Sequence, residues 1–259
     1  MLSSRLNAYA LHFWNKVGIH VDVAERTVCL SKDSKQTSET DVCHLLADQL
    51  LPRLLAYDDR LVIHAGAVTD MRGAITFIGQ SGFGKSTLTA YLTQQGFWLL
   101  SDDSLVFGSV AGLSAQSTYP SLRLMPDSLQ SLYPNKVATT PVAEYSPKKR
   151  LPVGAYATYD AHPLKLMIFL EPATSGDKIE LRPISPAQAC MALIANSFAL
   201  DPTDRTRAAK RLAQASSFAS AVPGFALSYP RRYECLPAVL ETILKTLDTV
   251  TTTQPDEIV

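Results

Sequence analysis

Residues Gly79-Gln80-Ser81-Gly82-Phe83-Gly84-Lys85-Ser86 follow the pattern glycine, four residues, glycine, lysine, serine. Glycines let such a loop curl until successive backbone N–H groups point inward at phosphate oxygens. A helix starting at the end of the loop adds the partial positive charge of its N-terminus. Lys85 then reaches the β- and γ-phosphates, and the Ser86 hydroxyl ligates Mg²⁺. The pattern predicts a nucleoside triphosphate site formed by Gly79 to Ser86 with Thr87 next in line, with Mg²⁺ on Ser86. The plainer alternative is a glycine-rich strand-to-helix turn with Lys85 simply solvated.

Asp102 and Asp103 stand 17 and 18 residues beyond Lys85. That interval has room for one helix of about three turns, a glycine stop and a short strand. Two adjacent carboxylates at a strand end can divide the labour: one holds the Mg²⁺ and the other takes a proton from an attacking hydroxyl. Both serve only if the strand ends there, because successive side chains on a strand face opposite ways. Otherwise they merely cap the next turn. His64, in Val62-Ile63-His64-Ala65-Gly66-Ala67, closes a strand expected next to the loop's own strand. There it can contact the carboxylates or the γ-phosphate, and Gly66 allows close backbone approach.

The elements that must position these groups are readable in outline. Residues 9–30 alternate loosely, with Tyr9, Phe13, Trp14, Val17, Ile19, Val21 and Val23, and read as one or two strands. After a polar connection over 31–38, a helix fits 39–56 on the spacing of Val42, Leu45, Leu46, Leu50, Leu51, Leu54 and Leu55, with Pro52 kinking or ending it. Residues 61–63 and 74–78 read as a hairpin about a turn at 69–73, its second strand feeding the loop. A helix over 85–95 stops at Gly96. A strand over 97–100 runs into Asp102-Asp103, beside the loop's strand, and 105–107 continue it. Residues 108–163 read as loops with short strands. Strands follow at 164–170 and 179–184. Helices follow at 186–199, opened by Ser185-Pro186, and at 203–220 and 236–248. The tail 251–259 is polar and expected to be mobile. The expected fold is α/β: one domain over 1–250, with residues 1–57 as an N-terminal extension packed on it.

Bulk properties exclude several classes. Formal net charge is zero, so no global field draws in nucleic acid or an anionic membrane. No apolar run approaches the ~20 residues of a membrane span. Hydrophobic residues at 46% supply a core and argue against disorder. Cys29, Cys43, Cys190 and Cys235 match no zinc spacing and read as buried free thiols in a reducing compartment. A cytoplasmic protein is expected.

Together, His64, the Gly79–Ser86 loop, Gly96 and Asp102-Asp103 resemble the C-terminal catalytic domain of bacterial HPr kinase/phosphorylase, chiefly over residues 61–107. The resemblance is closer still to divergent HPr-kinase-like proteins of bacterial biosynthetic clusters, which include kinases of peptide precursors. It implies a P-loop on a mixed, partly antiparallel sheet related to phosphoenolpyruvate carboxykinase. It further implies Asp103 as the base for a serine hydroxyl, Asp102 as metal ligand or positioner, Ser86 on Mg²⁺, and by analogy a homo-oligomer. The family's Glu-Ile-Arg-Gly segment is met only by Ser121-Leu122-Arg123-Leu124, which keeps the arginine and lacks the glutamate. Its regulatory N-terminal domain is not evident.

Arg123 is a candidate phosphate contact. Lys148-Lys149-Arg150 is a candidate to close on nucleotide or acidic substrate, and Lys210-Arg211 and Arg231-Arg232 are weaker ones. For each cluster a solvated face is the ordinary alternative. Tyr145 and Trp98 are candidates for stacking on a base, with core packing as the alternative. The leading function is an ATP-dependent kinase of a serine or similar hydroxyl on a peptide or protein. The alternatives are a small-molecule hydroxyl kinase and a non-catalytic ATP-binding regulatory module. A GTPase reading lacks support, because Asn135-Lys136-Val137-Ala138 has no guanine-reading aspartate.

Overall fold

A computed structural model describes residues 2–5, 8–13, 17–31, 37–108, 112–135, 137–152, 154, 157–172 and 176–253. Trp14, the stretch 32–36 and the tail 254–259 lie outside the described residues.

The first four strands, β1 (Leu2–Arg5), β2 (Ala8–His12), β3 (Gly18–Asp22) and β4 (Thr27–Ser31), form an antiparallel meander. Residues 9–30 therefore hold parts of three strands, one more than predicted. Val17, Ile19 and Val21 of this sheet pack on Leu45 and Leu50 of the next helix. That helix begins as α1 (Glu39–His44), with the Ser38 side chain accepting from the Asp41 N–H. It widens to a π-helical stretch over Leu45–Leu50 and continues as α2 (Leu51–Tyr57). Pro52 does not end it. In a regular helix the Pro52 ring would collide with the carbonyl of residue 48, and the wider turn before it makes room.

Next come β5 (Leu61–Ile63), β6 (Ala65–Asp70) and β7 (Gly73–Ile78). The predicted hairpin is corrected here. Its arms are β6 and β7, whereas β5 pairs with a later strand. The run Ala65-Gly66-Ala67 lacks the β-branched signature of a strand. It is one nonetheless, because small residues let the following helix lie close: a Cβ on Gly66 would collide with Thr89 Oγ1. The glycine loop leads from β7 into α3 (Lys85–Gln94), and Gly96 closes that helix at φ +97°.

Strand β8 (Trp98–Asp102) lies beside β6, so β6 separates it from the loop's strand β7, correcting the predicted neighbourhood. Residues 105–108 form a separate strand, β9 (Leu105–Gly108), paired with β5 and with β10 (Ser114–Ser117). A small antiparallel sheet follows, from β11 (Leu122–Leu124), β12 (Thr140–Pro141) and β13 (Lys149–Leu151), with α4 (Pro126–Leu132) after β11. Strand β14 (His162–Leu170) is central. It runs parallel to β7 and to a later strand, and antiparallel to β10. The chain ends with β15 (Glu180–Pro183), α5 (Pro186–Ala195), α6 (Arg205–Ala221), β16 (Gly224–Ser228), a 3₁₀ turn over Tyr233–Cys235 and α7 (Leu236–Thr253). Ser185 and Gln188 form a reciprocal capping box at the start of α5. Helix α5 stops at Ala195, short of the predicted 199, while α7 runs on to Thr253 where a tail was expected.

The main sheet is mixed, with the order β5-β9-β10-β14-β7-β6-β8, and β16 and β15 attached at β14. Helices cover both faces. On one face Met167 and Phe169 of β14 pack with Leu193 of α5 and Phe218 of α6. On the other, Leu166 and Ile168 pack with Leu88 of α3 and Val239 and Ile243 of α7. This alternation follows from the two-residue period of the strand. Among the described residues no helix is long and apolar enough to cross a membrane. The cysteines are free but not buried: Cys29 and Cys43 are exposed and Cys190 and Cys235 half-buried, correcting the predicted interior thiols.

Candidate active site

Strands β5 and β6 form one line, antiparallel to the line of β9 and β8, and both lines break at the same level. Ile63 pairs with Leu105 and Gly66 with Asp102; His64 and Asp103 fall in the gap. Main-chain bonds pin the gap: His64 N–H donates to the Asn196 carbonyl at 2.7 Å, and Asp103 N–H to the Ala65 carbonyl at 3.0 Å. Asp103 has φ +140°, a conformation rare for a residue with a side chain and of the kind concentrated at functional sites. The strand does end at Asp102, as the paired-carboxylate reading required.

The two carboxylates have different surroundings. Asp102 is 4% exposed; its Oδ2 accepts the Arg123 backbone N–H at 2.8 Å, and it is hydrogen-bonded to the Ser86 side chain. Burial raises its proton affinity above the usual carboxylate range, against the pull of Arg123. Asp103 is more open. Its Oδ2 meets Arg123 Nη1 at 2.6 Å and its Oδ1 lies 3.3 Å from His64 Nδ1. Burial works to raise its pKa as well, but Arg123, His64 and Lys148 outweigh that and hold it below the usual value. His64 is pushed down, first by its own burial and against the pull of Asp103, so its imidazole is neutral at neutral pH.

One pocket joins these groups to the glycine loop. Its lining includes His64, Ser81, Gly82, Gly84, Lys85, Ser86, Thr87, Asp102, Asp103, Arg123 and Lys148. Gly79, Gln80 and Phe83 of the predicted set belong to the loop without facing the pocket. The Gly79 and Gln80 carbonyls accept from Lys85 Nζ at 2.5 and 3.1 Å. Burial lowers the Lys85 ammonium to about 8, while Asp102 and Asp103 pull the other way. Gly84 sits at φ +88° under Tyr229, whose hydroxyl is 3.1 Å from where a Cβ would stand. A side chain there would press Tyr229 and crowd Arg231 behind it.

Sequence reasoning underrated Arg231. Its guanidinium lies 4.0 Å over the Tyr229 ring, and Nη2 donates to the Glu171 carbonyl at 2.6 Å. Its Nη1 is buried and has no partner among the described residues, and Arg231 as a residue lines the same pocket. The far wall comes from α4 and the 3₁₀ turn before α7, where Ser128 Oγ lies 3.1 Å from both Thr87 Oγ1 and the Tyr233 hydroxyl, and Tyr233 donates to Asp127 Oδ2 at 2.8 Å. No local pattern marked Asp127, Ser128 or Tyr233, because they meet Thr87 only after the chain folds.

Other candidates separate clearly. Lys148 lines the pocket, whereas Arg150 turns away to Asp48. Lys210 pairs with Asp59, and Arg232 on the pocket rim pairs with Asp177. Trp98 sits at the opposite end of β8 from Asp102, and Tyr145 stacks edge-on against His44. Neither lines the pocket. Arg123 is only 4% exposed and already doubly ion-paired, to Asp103 and, at 2.8 Å, to Asp48. It is held by both carboxylates and lines the same pocket as the glycine loop.

No protein-family model and no curated protein matches the sequence. Among solved structures the chain is similar to the HPr(Ser) kinase/phosphatase from Coxiella burnetii, with 12% identity and a TM-score of 0.36, over 73% of this chain and 96% of that one. A likeness this loose assigns no function, so the functional reading rests on the site.

Proposed function

We propose that this protein is an ATP-dependent kinase that transfers the γ-phosphoryl group to a serine or similar hydroxyl of a peptide or protein. One observation carries the reading. The Asp103 carboxylate, held by Arg123 and His64, opens into the same pocket as the glycine loop and Lys85. A phosphate cradle and a fixed carboxylate thereby share one space.

In this reading the loop N–H groups, the start of α3 and Lys85 bind the phosphates. Arg231, which lines the pocket beside Gly84, is a further phosphate contact. Ser86 and Asp102 would hold Mg²⁺. They fit it: both offer hard oxygen donors, already in contact with each other, and Asp102 is a buried carboxylate whose burial a cation would offset. When bound, Mg²⁺ would neutralise charge on the β- and γ-phosphates.

The bond from the γ-phosphorus to the bridging oxygen breaks, and one to the acceptor oxygen forms. The acceptor proton passes to Asp103, and ADP departs. The ion pair with Arg123 makes Asp103 a weak base, which on its face favours a non-catalytic module. Phosphoryl transfer, however, relies mainly on positioning and charge stabilisation and asks little of the base. His64, neutral, steadies the carboxylate from its other side. The contacts between the N-terminal helix and this site support reading residues 1–250 as one kinase-like unit.

The direct test compares wild type with Asp103→Asn, given ATP, Mg²⁺ and candidate peptide or protein acceptors. Transfer by wild type alone supports the reading. Equal transfer by both removes Asp103 from its role. Tight ATP binding with no transfer to any acceptor selects the regulatory module.

A further inference from the structure

The π-helical stretch Leu45–Leu50 places a carboxylate where a helix face would ordinarily carry an apolar side chain. Asp48 lies three residues beyond Leu45, on the buried stripe, and is 0% exposed. A buried carboxylate is costly unless fully paired, and Asp48 is. Its Oδ1 accepts from Arg123 Nη2 at 2.8 Å and from the Tyr119 hydroxyl. Its Oδ2 meets His44 Nδ1 at 2.5 Å and Arg150 Nη2 at 3.3 Å. Arg123 and Arg150 face each other across the β11–β13 register, and both lie over the Tyr119 ring.

Arg123 is thus divided. Nη2 goes to Asp48 and Nη1 goes to Asp103. Left with a single carboxylate, a guanidinium favours the two-toothed arrangement that takes both oxygens. On Asp103 that arrangement would cover Oδ1, the oxygen that now faces His64.

We propose that Asp48 is a positioning residue for the reaction: it holds one edge of Arg123, so that a single nitrogen reaches Asp103 and the other carboxylate oxygen, on the His64 side, stays clear of Arg123. This rests on the kinase reading. It also gives the N-terminal helix a part in the chemistry as well as in packing.

The test is Asp48→Asn, which keeps the side-chain shape and removes the charge. A misplaced catalytic group can cost about a hundredfold in rate, so kcat for phosphoryl transfer should fall by about that factor while KM for ATP stays within about twofold. A second substitution, Arg123→Ala, made alone and with Asp48→Asn, should add little to the loss, because both act through one link. A purely structural role predicts a lower melting temperature with kcat per folded molecule unchanged, and that result overturns the proposal. Should Asp48→Asn not fold, Asp48→Asn with Arg150→Gln removes one charge of each sign, and the same kcat and KM readings apply. A crystal structure of whichever variant folds gives a readout independent of turnover. Arg123 bound to both oxygens of Asp103 supports the proposal, and Arg123 still on Oδ2 alone overturns it. Wild-type turnover judges the kinase reading separately: if wild type transfers nothing, that reading falls and the crystal structure still decides the linkage.

Discussion

His64 Nδ1 lies 2.9 Å from the backbone carbonyl of Asp103, across the level at which both long strand lines break. The side chain of one residue bonds the main chain of the other, so the two are set by the sheet and not by a free loop. Groups fixed this way keep their geometry without help from a ligand.

The carboxylate is the part most exposed to test. Asp103→Asn should lower kcat by about 10²- to 10⁴-fold, the range for loss of a positioned acid–base group, with ATP affinity little changed. Steady-state kinetics alongside calorimetric ATP binding separates the two quantities.

His64 and Asp103 both titrate below their ordinary values, His64 chiefly through burial and Asp103 through its cationic neighbours against burial. The sign follows directly. A histidine with a lowered pKa stays neutral, and a carboxylate with a lowered pKa stays ionised, down to more acid pH. Activity should therefore hold as pH falls to 6.5, the ordinary histidine value, and decline only below it. A pH–rate profile with its acid limb above 6.5 contradicts this.

Gly84→Ala tests the cradle. The φ of +88° disfavours any residue with a Cβ, and the new methyl would press the Tyr229 hydroxyl. A left-handed conformation costs about 1–2 kcal/mol. That corresponds to a melting temperature lower by roughly 2–8 °C in a chain of this size. ATP affinity should fall with it, as read by thermal-shift and titration experiments.

Arg231→Gln should weaken ATP binding by about tenfold, the loss of roughly one charge-assisted hydrogen bond. Stability should change less than on loss of Tyr229, which is the buried partner. Unchanged affinity would return Arg231 to the role of a lid over the tyrosine ring.

Metal dependence offers a further check. Chelation of Mg²⁺ should abolish transfer and its return restore it, and Asp102→Asn should raise the Mg²⁺ concentration needed for half-maximal rate.

The sequence made local things legible. The glycine loop, the helix stop at Gly96 and the carboxylate pair are short-range patterns, and they meet in one pocket. Strand β6 was hidden because its small residues carry packing information and little strand propensity. The neighbour of β8 was misassigned because strand order depends on pairings far apart in the chain. Asp48 left one faint signal, a charge on an apolar helical stripe. Its partner Arg123 lies 75 residues away, and that pairing is visible only in the fold.

The widened turn in the N-terminal helix makes the protein sensitive to length as well as to chemistry. Each residue of a helix turns it by about 100°. Deleting one residue between Asp48 and Pro52 would close the wide turn, return the Pro52 ring to the carbonyl four residues before it, and swing everything before the deletion around the axis. The leucines could find new partners in a greasy interface, but the buried carboxylates Asp41 and Asp48 would face the wrong way. A length change here would misplace Asp48 as well as strain the helix, so tolerance to insertion and deletion should be lowest in a segment that does not line the pocket.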